Sequence, residues 1–243
     1  MRHLPLTLDS PAANLALDDA LQDEVEAGLQ GEGVLRVWES PRPVVVLGRS
    51  SRVDQEVRID ACRRDEIPVL RRTSGGAAIV AGPGCLMYAV VLEASAAPGL
   101  PAIDVAHKLV LERIAAALAP QVPAIRRSGT SDLAIAAGDA TPVKVSGNSL
   151  RVRRQSVLYH GTLLYDFDVA CMGRWLAEPP RQPEYRCRRP PAHSVRTRRR
   201  GRADRGQTRA TAGGAVDPLP DWPRGRTAAI VAERYARPDW TIA

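Results

Sequence analysis

Two long amphipathic helices set among many short apolar strands restrict what this chain can fold into. Residues 11–28 bring apolar side chains to one face, with Ser10 as a cap and Gly28 as a terminator, and residues 103–118 repeat the helical spacing. Many short strands with only two long helices argue against a Rossmann-type repeat. The pattern therefore predicts an α+β domain with a mixed or antiparallel central sheet and flanking helices.

Short apolar runs between turn signals predict the strands. Residues 43–48 are almost wholly apolar, so we expect this strand to be central in its sheet. Residues 126–151 predict a strand, a turn at Gly138 and Asp139, and a second strand that ends at residues 144–147. Further predicted strands are residues 34–38, 67–72, 87–92 and 157–165, the last interrupted at His160 and Gly161, and a short helix is predicted at residues 59–65. In the second long helix, we expect His107 and Lys108 on the exposed surface.

The charge distribution divides the chain into two parts. Residues 1–185 carry 20 basic and 22 acidic side chains, whereas residues 186–243 carry 14 arginines against 5 acidic side chains. Residues 186–214 contain almost no large apolar side chain, and such a segment buries too little surface to offset its ordering entropy. We therefore predict one folded domain at residues 1–185 and an Arg-rich, poorly ordered tail with a short helix at residues 226–235.

Several classes of protein are disfavoured by the composition. No window approaches the roughly 20 continuous apolar residues of a membrane span, and the N-terminus is too short and broken for a signal peptide. We therefore expect a cytoplasmic protein without a membrane partner. The four cysteines are widely spaced and form no CxxC pair, so we predict free thiols, and neither a metal site nor a disulfide framework.

Paired glycines next to two arginines, at residues 71–76, indicate an anion site. Glycine lets the backbone take positive φ and lets a ligand approach the main chain, so that exposed N–H groups can hold an anion. Arg71 and Arg72 can add a charge that forks onto phosphate or carboxylate. The alternative is a plain hairpin turn between residues 67–70 and 87–92, with both arginines in solvent.

Three short motifs follow one another along the chain. They are Arg-Arg-Thr-Ser-Gly-Gly at residues 71–76, Lys-Val-Ser-Gly-Asn-Ser at residues 144–149 and His-Gly-Thr-Leu-Leu at residues 160–164. In this order the sequence resembles the catalytic domain of the lipoate-protein ligase branch of the biotin/lipoate ligase family. Residues 14–21 are similar to the first helix of that family, and the resemblance covers roughly residues 8–185.

The resemblance implies a class II synthetase-like catalytic domain at residues 1–185 and assigns its site residues. It makes Lys144 the catalytic residue, in contact with both the acyl carboxylate and the α-phosphate. A flexible ammonium can donate to two anions, where a planar guanidinium would fix one geometry. Contacts to ATP and acyl-adenylate are implied for Arg72, Ser74, Gly75, Gly76, Ala77, Ala78, Ile79, Lys144 and Gly147. Roles in the acyl pocket or in support of it are implied for Arg71, His160, Gly161 and Thr162.

The implied reaction is activation of lipoate or octanoate by ATP, with Mg²⁺ accompanying the nucleotide. The acyl group would then pass to a lysine of a lipoyl carrier domain, belonging to a 2-oxoacid dehydrogenase or to a glycine-cleavage H protein. We expect no room in this chain for the accessory domain of the longer ligases, and a separate accessory ligase polypeptide stays open as a further partner. Ala77 and Ala81 stand near positions where the family commonly carries a third glycine and a later histidine.

Other functions stay open at this point. An octanoyl or lipoyl transferase would take the acyl group from a carrier thioester through a cysteine shortly before the lysine, and residues 126–143 contain none. A transferase that uses only a lysine remains an alternative, and pyrophosphate release would separate it from a ligase. A biotin ligase should carry Gly-Arg-Gly-Arg before the lysine, and here Arg-Gly-Arg occurs only in the tail. The tail could also contact nucleic acid phosphates, although its aromatic residues lie outside the arginine run.

Overall fold

Seven strands form the larger of two sheets in the computed structural model, which describes residues 1–29, 31, 33–135, 142–178 and 221–242. In chain order they are β1 (Arg2–Leu4), β2 (Val34–Glu39), β6 (Cys85–Glu93), β7 (Ile125–Ser128), β8 (Asp132–Ile135), β9 (Val143–Val152) and β10 (Ser156–Leu164). Their order across the sheet is β1-β2-β6-β10-β9-β8-β7. The pair β1 and β2 is parallel, and the other neighbours are antiparallel.

A smaller sheet contains β3 (Val44–Leu47), β4 (Val69–Arg71) and β5 (Ile79–Ala81). The apolar strand β3 is central, as expected, and pairs in parallel with β4 and antiparallel with β5. The predicted α+β fold with a mixed sheet is thereby confirmed. The hairpin alternative is wrong, because β4 pairs with β3 whereas β6 lies in the other sheet.

Helices flank the sheets. Two of them are long, α1 (Pro11–Glu26) and α4 (Ile103–Leu118). The shorter helices are α2 (Val53–Glu56), α3 (Ile59–Arg64), α5 (Met172–Trp175), α6 (Arg224–Ile230) and α7 (Pro238–Ile242). Ser10 caps α1 by accepting the amide of Ala13, and the apolar face of α1 packs on the larger sheet. Among the described residues, no helix is both long and apolar enough to cross a membrane.

Three strand predictions differ from the structure. The strand predicted between residue 126 and the turn at residues 138–139 is two strands, β7 and β8, which are separated by a turn that begins at Gly129 with a φ of 59°. β9 begins at Val143, so Lys144 lies near the start of a ten-residue strand and not at its end. β10 continues without a break through His160 and Gly161, because these residues pair with Ser149 and Asn148 of β9. Ladder hydrogen bonds on both sides outweigh the weak strand preference of glycine. The predicted turn at residues 138–139 lies outside the described residues.

The prediction that His107 and Lys108 both lie on the exposed surface of α4 is only partly correct. Lys108 is exposed, but His107 is 4% exposed and its Nδ1 lies 2.9 Å from the hydroxyl of Tyr159. The helix is covered by the larger sheet on the side that carries Ala106, His107 and Val110, so a hydroxyl of β10 supplies the polar partner that burial requires. The expectation of a solvated histidine is wrong.

The end of the chain also corrects a prediction. The C-terminal segment (residues 221–242) consists of α6, a π-helical turn at Val231–Tyr235 and α7, and it packs against α1 and β4. Ile230 and Tyr235 are 1% and 6% exposed and belong to the core beside the smaller sheet. Residues 221–242 of the predicted tail are therefore folded onto the domain. They contain the predicted helix at residues 226–235 and a second helix, α7, after it. The predicted boundary at residue 185 and the arginine run fall outside the described residues.

Candidate functional site

The arginine-glycine loop (residues 71–78) connects β4 to β5 and is fixed against the end of β3. The amide of Arg49 donates to the Ser74 carbonyl at 2.8 Å. A Cβ on Gly48 would lie 1.8 Å from the carbonyl oxygen of Gly76, so the two chains meet too closely for a side chain. Gly76 itself has a φ of 85°, in the region that glycine adopts without strain. Glycine is thus required on both sides of this contact.

Arg72 organises the loop from inside. Its guanidinium donates to the carbonyl of Val46 at 3.1 Å, the carbonyl of Ala77 at 3.0 Å and the hydroxyl of Ser74 at 3.1 Å, and also to the carbonyl of Gly75. Burial lowers the pKa of Arg72 to about 10, so it stays charged at neutral pH. These bonds serve the shape of the loop, and a direct contact with ATP stays a prediction.

Arg71 is also turned inward. It is 2% exposed and donates to the carbonyls of Gly48, Arg49 and Ser51 at 2.8–3.0 Å. One guanidinium therefore fastens β4 to the chain that follows β3, and a role of Arg71 in the acyl pocket or in support of it stays a prediction. The alternative of solvated arginines is wrong for both Arg71 and Arg72, because neither exposes more than 7% of its surface.

The glycines of the loop have their carbonyls engaged by the protein. The hydroxyl of Ser149 donates to the Gly75 carbonyl at 2.8 Å, and the hydroxyl of Ser51 donates to the Gly76 carbonyl at 3.2 Å. The amides of Gly75, Gly76 and Ala77 donate no hydrogen bond to any residue that the structure describes. Successive N–H groups of this kind form an anion-binding concavity.

Ala78 and Ile79, also predicted for the nucleotide site, already have partners within the protein. The amide of Ala78 donates to Oε2 of Glu56 at 2.7 Å, and Ile79 is paired with Val46 in the smaller sheet. Glu56 is 8% exposed, so this carboxylate fixes the far end of the loop from within the domain. Ala78 and Ile79 therefore anchor the amides that precede them.

A neutral histidine lies behind the loop. Nε2 of His160 on β10 is hydrogen-bonded to the hydroxyl of Ser74, and both residues are buried. Burial, with a smaller contribution from the charge of Arg72, lowers the pKa of His160 to about 3. The imidazole is therefore uncharged at neutral pH, next to a buried guanidinium. Two positions further along β10, Thr162 accepts the amide of Gly147 at 3.3 Å.

Lys144 lies beside a buried carboxylate. Its ammonium is 2.7 Å from Oδ1 of Asp132, whose side chain is 4% exposed, while the lysine side chain is 22% exposed. A Cβ on Gly147 would lie 2.8 Å from Nζ and 3.0 Å from Cε of Lys144. The glycine of the Lys-x-x-Gly motif thus gives room to the lysine itself, and a contact between Gly147 and ATP stays a prediction.

The lysine and the loop are connected through one strand. Lys144, Gly147 and Ser149 all belong to β9, and Ser149 holds the Gly75 carbonyl. An ammonium, three successive amides without an acceptor among the described residues, and a neutral histidine are thereby carried on neighbouring segments. Such a set can hold two anions at once, which is what a reaction between a carboxylate and a phosphate requires.

Residues 10–197 match the family described as the lipoyl protein ligase A/B catalytic domain. The chain belongs to this family. The match includes all three motifs on which the resemblance was based, and that resemblance is confirmed.

Two curated proteins are similar to this chain over about two thirds of its length. A protein of Aeropyrum pernix named as a candidate lipoate-protein ligase A is 33% identical over 171 residues, covering 70% of this chain and 60% of that protein. The octanoyltransferase LipM of Exiguobacterium sp. is 28% identical over 162 residues, covering 66% of this chain and 53% of that protein. The matched region thus spans about half to three fifths of these relatives.

Solved structures share the fold. A bi-partite lipoate protein ligase of Thermoplasma acidophilum, described with its E2 lipoyl domain, has a TM-score of 0.77 at 18% identity and covers 99% of this chain and 95% of that chain. A candidate lipoate protein ligase of the same organism with bound lipoic acid has a TM-score of 0.75 at 18% identity, covering 100% and 99%. A lipoate-protein ligase A bound with ATP has a TM-score of 0.69 at 18% identity, covering 99% and 98%.

Sequence reasoning missed four polar residues of this ligase-family site. Asp132, Glu56 and Ser149 contact the lysine or the loop, and Asp19 of α1 accepts the hydroxyl of Thr73. An acid on the strand before the lysine was a usable signal for Asp132. Ser149 and Asp19 lie within residues 144–149 and 14–21, which carry the resemblance, and no local pattern marks Glu56. Within the described residues, no group of three or more His, Cys, Asp or Glu side chains could hold a metal ion.

Proposed function

We propose that this chain is the catalytic domain of a lipoate-protein or octanoate-protein ligase. The observation that carries the proposal is the half-buried Lys144 ammonium on β9, the strand that also holds the loop with three free amides. Family membership agrees with it, and relatives of the same fold are described with lipoic acid and with ATP.

In the first step, a carboxylate oxygen of the acid attacks the α-phosphorus of ATP. A bond forms between this oxygen and the α-phosphorus. The bond from the α-phosphorus to the oxygen that bridges to the β-phosphate breaks, and pyrophosphate leaves. Charge that develops on the phosphate oxygens must be met by donors already in place. The amides of Gly75, Gly76 and Ala77 are positioned to hold the phosphates, and Lys144 can turn from Asp132 to bridge the carboxylate and the α-phosphate.

In the second step, a lysine amine of a carrier domain attacks the acyl carbonyl. A carbon-nitrogen bond forms, AMP leaves, and the amine loses a proton. The named partner in the archaeal relative is an E2 lipoyl domain. We propose a lipoyl carrier domain of a 2-oxoacid dehydrogenase, or an H protein, as acceptor here, and a separate accessory polypeptide as a second partner.

Neutral His160 supports the loop during both steps. Because its pKa is lowered, it presents Nε2 to Ser74 without adding a second positive charge next to Arg72. We propose that Ser74 is thereby directed at the acyl-adenylate. Mg²⁺ would arrive with ATP, since this ion is commonly held by substrate phosphates, water and only one or two carboxylates.

The test is exchange of labelled pyrophosphate into ATP, measured with lipoate, octanoate and biotin in turn. Lys144→Met should keep the fold and lower exchange by about 10²–10³-fold, because a donor to the developing charge is lost. Lys144→Arg should restore little of it, since a planar fork cannot serve both anions from that position. Lys108→Met is the matched control, because Lys108 is exposed on α4, and its exchange rate should equal that of the wild type. Near wild-type exchange in Lys144→Met would refute the proposal.

The similarity to an octanoyltransferase favours one alternative, direct acyl transfer from a carrier thioester. A transferase of the kind that works through a cysteine needs a reactive thiolate, whereas burial raises the pKa of Cys85 to about 12 and that of Cys171 to about 11. Burial also raises the pKa of Cys62, and Cys187 lies outside the described residues. Acyl transfer from an octanoyl carrier protein without ATP, and without pyrophosphate release, would establish the transferase.

A further inference from the structure

The C-terminal segment is attached to the arginine-glycine loop at two places, although the two are separated by about 150 residues of chain. The first is Arg71. Its Nε and its terminal nitrogen donate to the carbonyls of Trp240 and Thr241, each at 3.0 Å. The indole nitrogen of Trp240 in turn donates to the Arg71 carbonyl at 2.7 Å. Helix α7 thus closes a reciprocal set of hydrogen bonds on the first residue of the loop.

The second attachment passes through Asp19 on α1. Its Oδ1 accepts the hydroxyl of Thr73 at 2.6 Å. Its Oδ2 accepts the hydroxyl of Tyr235 at 2.9 Å and a guanidinium nitrogen of Arg234 at 2.5 Å. Asp19 is 2% exposed and Tyr235 is 6% exposed, so this carboxylate joins the loop to the C-terminal segment out of contact with solvent.

The two residues of the C-terminal segment that bind Asp19 belong to its π-helical turn, Val231–Tyr235. Short π-helical turns are rare and occur often at functional sites. Here the last two residues of the turn, Arg234 and Tyr235, reach the same carboxylate oxygen. A second cation, Arg151 of β9, lies 3.8 Å from Asp19, so the charge of the buried carboxylate is compensated from two elements.

We infer that Asp19 is a positioning residue, through which the C-terminal segment holds Thr73 and keeps the loop in the shape that leaves the amides of residues 75–77 free. Asp19 itself does not face the ligand in this scheme. It acts on ATP binding through Thr73, while Tyr235 and Arg234 fix its carboxylate. The inference rests on the proposed function for the identity of the ligand, but not for the shape of the loop.

The test compares Thr73→Val with Thr227→Val in the full chain. Both variants replace a buried threonine hydroxyl by a methyl group, but Thr227 donates to the Pro223 carbonyl within the C-terminal segment and does not touch the loop. Thr73→Val should weaken ATP binding by about 3- to 10-fold, the effect of one lost hydrogen bond. It should also speed hydrogen exchange at the amides of Arg49 and Ala78, which are bonded to the loop or belong to it. Thr227→Val should lower the melting temperature and leave both readouts unchanged.

A double-mutant cycle decides whether Asp19 transmits the effect. Thr73→Val and Tyr235→Phe should each increase exchange at these amides, and the combined effect should be smaller than their sum, because both remove a donor from one carboxylate. Strict additivity, or a lower melting temperature without change in amide exchange, would overturn the inference. If the wild type bound no ATP, the proposed function would fail, while the exchange measurements would still decide the role of Asp19.

Discussion

The arginine-glycine loop and the start of β9 use positive charge in opposite ways. On the loop, the guanidiniums of Arg71 and Arg72 are buried and donate to oxygens of the protein itself. On β9, Lys144 keeps 22% of its side chain exposed, and its ammonium lies 2.7 Å from Oδ1 of Asp132. A guanidinium has five donors in a rigid plane, which suits several fixed carbonyls, whereas an ammonium on a flexible stem can change acceptors. A charge beside glycines is therefore not by itself a ligand contact.

The largest effect is expected when the inward charge is removed. Arg72→Met should lower the free energy of unfolding by about 4 kcal/mol, because hydrogen bonds from a charged donor contribute about 1.5–3 kcal/mol each and the carbonyls of Val46 and Ala77 would lose this donor. The Gly75 carbonyl and the Ser74 hydroxyl would keep Ser149 and His160 as partners. Urea unfolding measures the change in free energy. Arg49→Met is the control, since the Arg49 side chain is exposed. An Arg72→Met protein as stable as the wild type but unable to bind ATP would break the comparison, because Arg72 would then be a ligand contact.

A smaller effect is expected when the outward charge is displaced. In Gly147→Ala the new Cβ would lie 2.8 Å from the Lys144 ammonium, so the end of this flexible side chain must move away from Asp132. Misplacing a catalytic group by about 1 Å can cost up to about 100-fold, so pyrophosphate exchange should fall about 10- to 100-fold with little change in stability. Gly173→Ala, with no atom within 4 Å of the new Cβ, should leave exchange intact. A wild-type rate in Gly147→Ala would show that the observed lysine position is not needed.

The smallest effect is expected on the pH dependence of stability, and it arises from His160, the neutral side chain next to Arg72. The pKa of His160 is lowered from 6.5 to about 3, so between these pH values the unfolded chain binds a proton that the folded protein does not. Stability conferred by neutral His160 is thus complete above pH 6.5 and falls as the pH falls. Between pH 7 and pH 5, the free energy of unfolding of the wild type should fall by about 2 kcal/mol more than that of His160→Gln. Urea unfolding at each pH measures this difference. Parallel pH profiles would show that folding does not lower the pKa of His160.

The fold class could be predicted because it depends on periodic patterns of local origin. The spacing of apolar residues in α1 and α4 and the apolar run of β3 identified these elements, and their positions agree with the structure. The pattern could not place β3 in a separate sheet or start β9 at Val143, since strand pairing depends on partners far along the chain. It also missed the packing of Tyr235, because a few apolar residues beyond a charged run give no strong signal.

For the site, the sequence alone determined which chemical groups are present and in what order: the paired arginines and glycines, then Lys144 and then His160. Only the tertiary structure decided where their charges point. Asp19 and Tyr235 are 216 positions apart in the chain, yet they share a hydrogen bond, and Arg71 is bonded to a carbonyl 170 positions away. Burial and hydrogen-bond partners turn Arg71 and Arg72 toward the protein and leave Lys144 accessible. These are properties of packed neighbours, which local residue spacing does not encode.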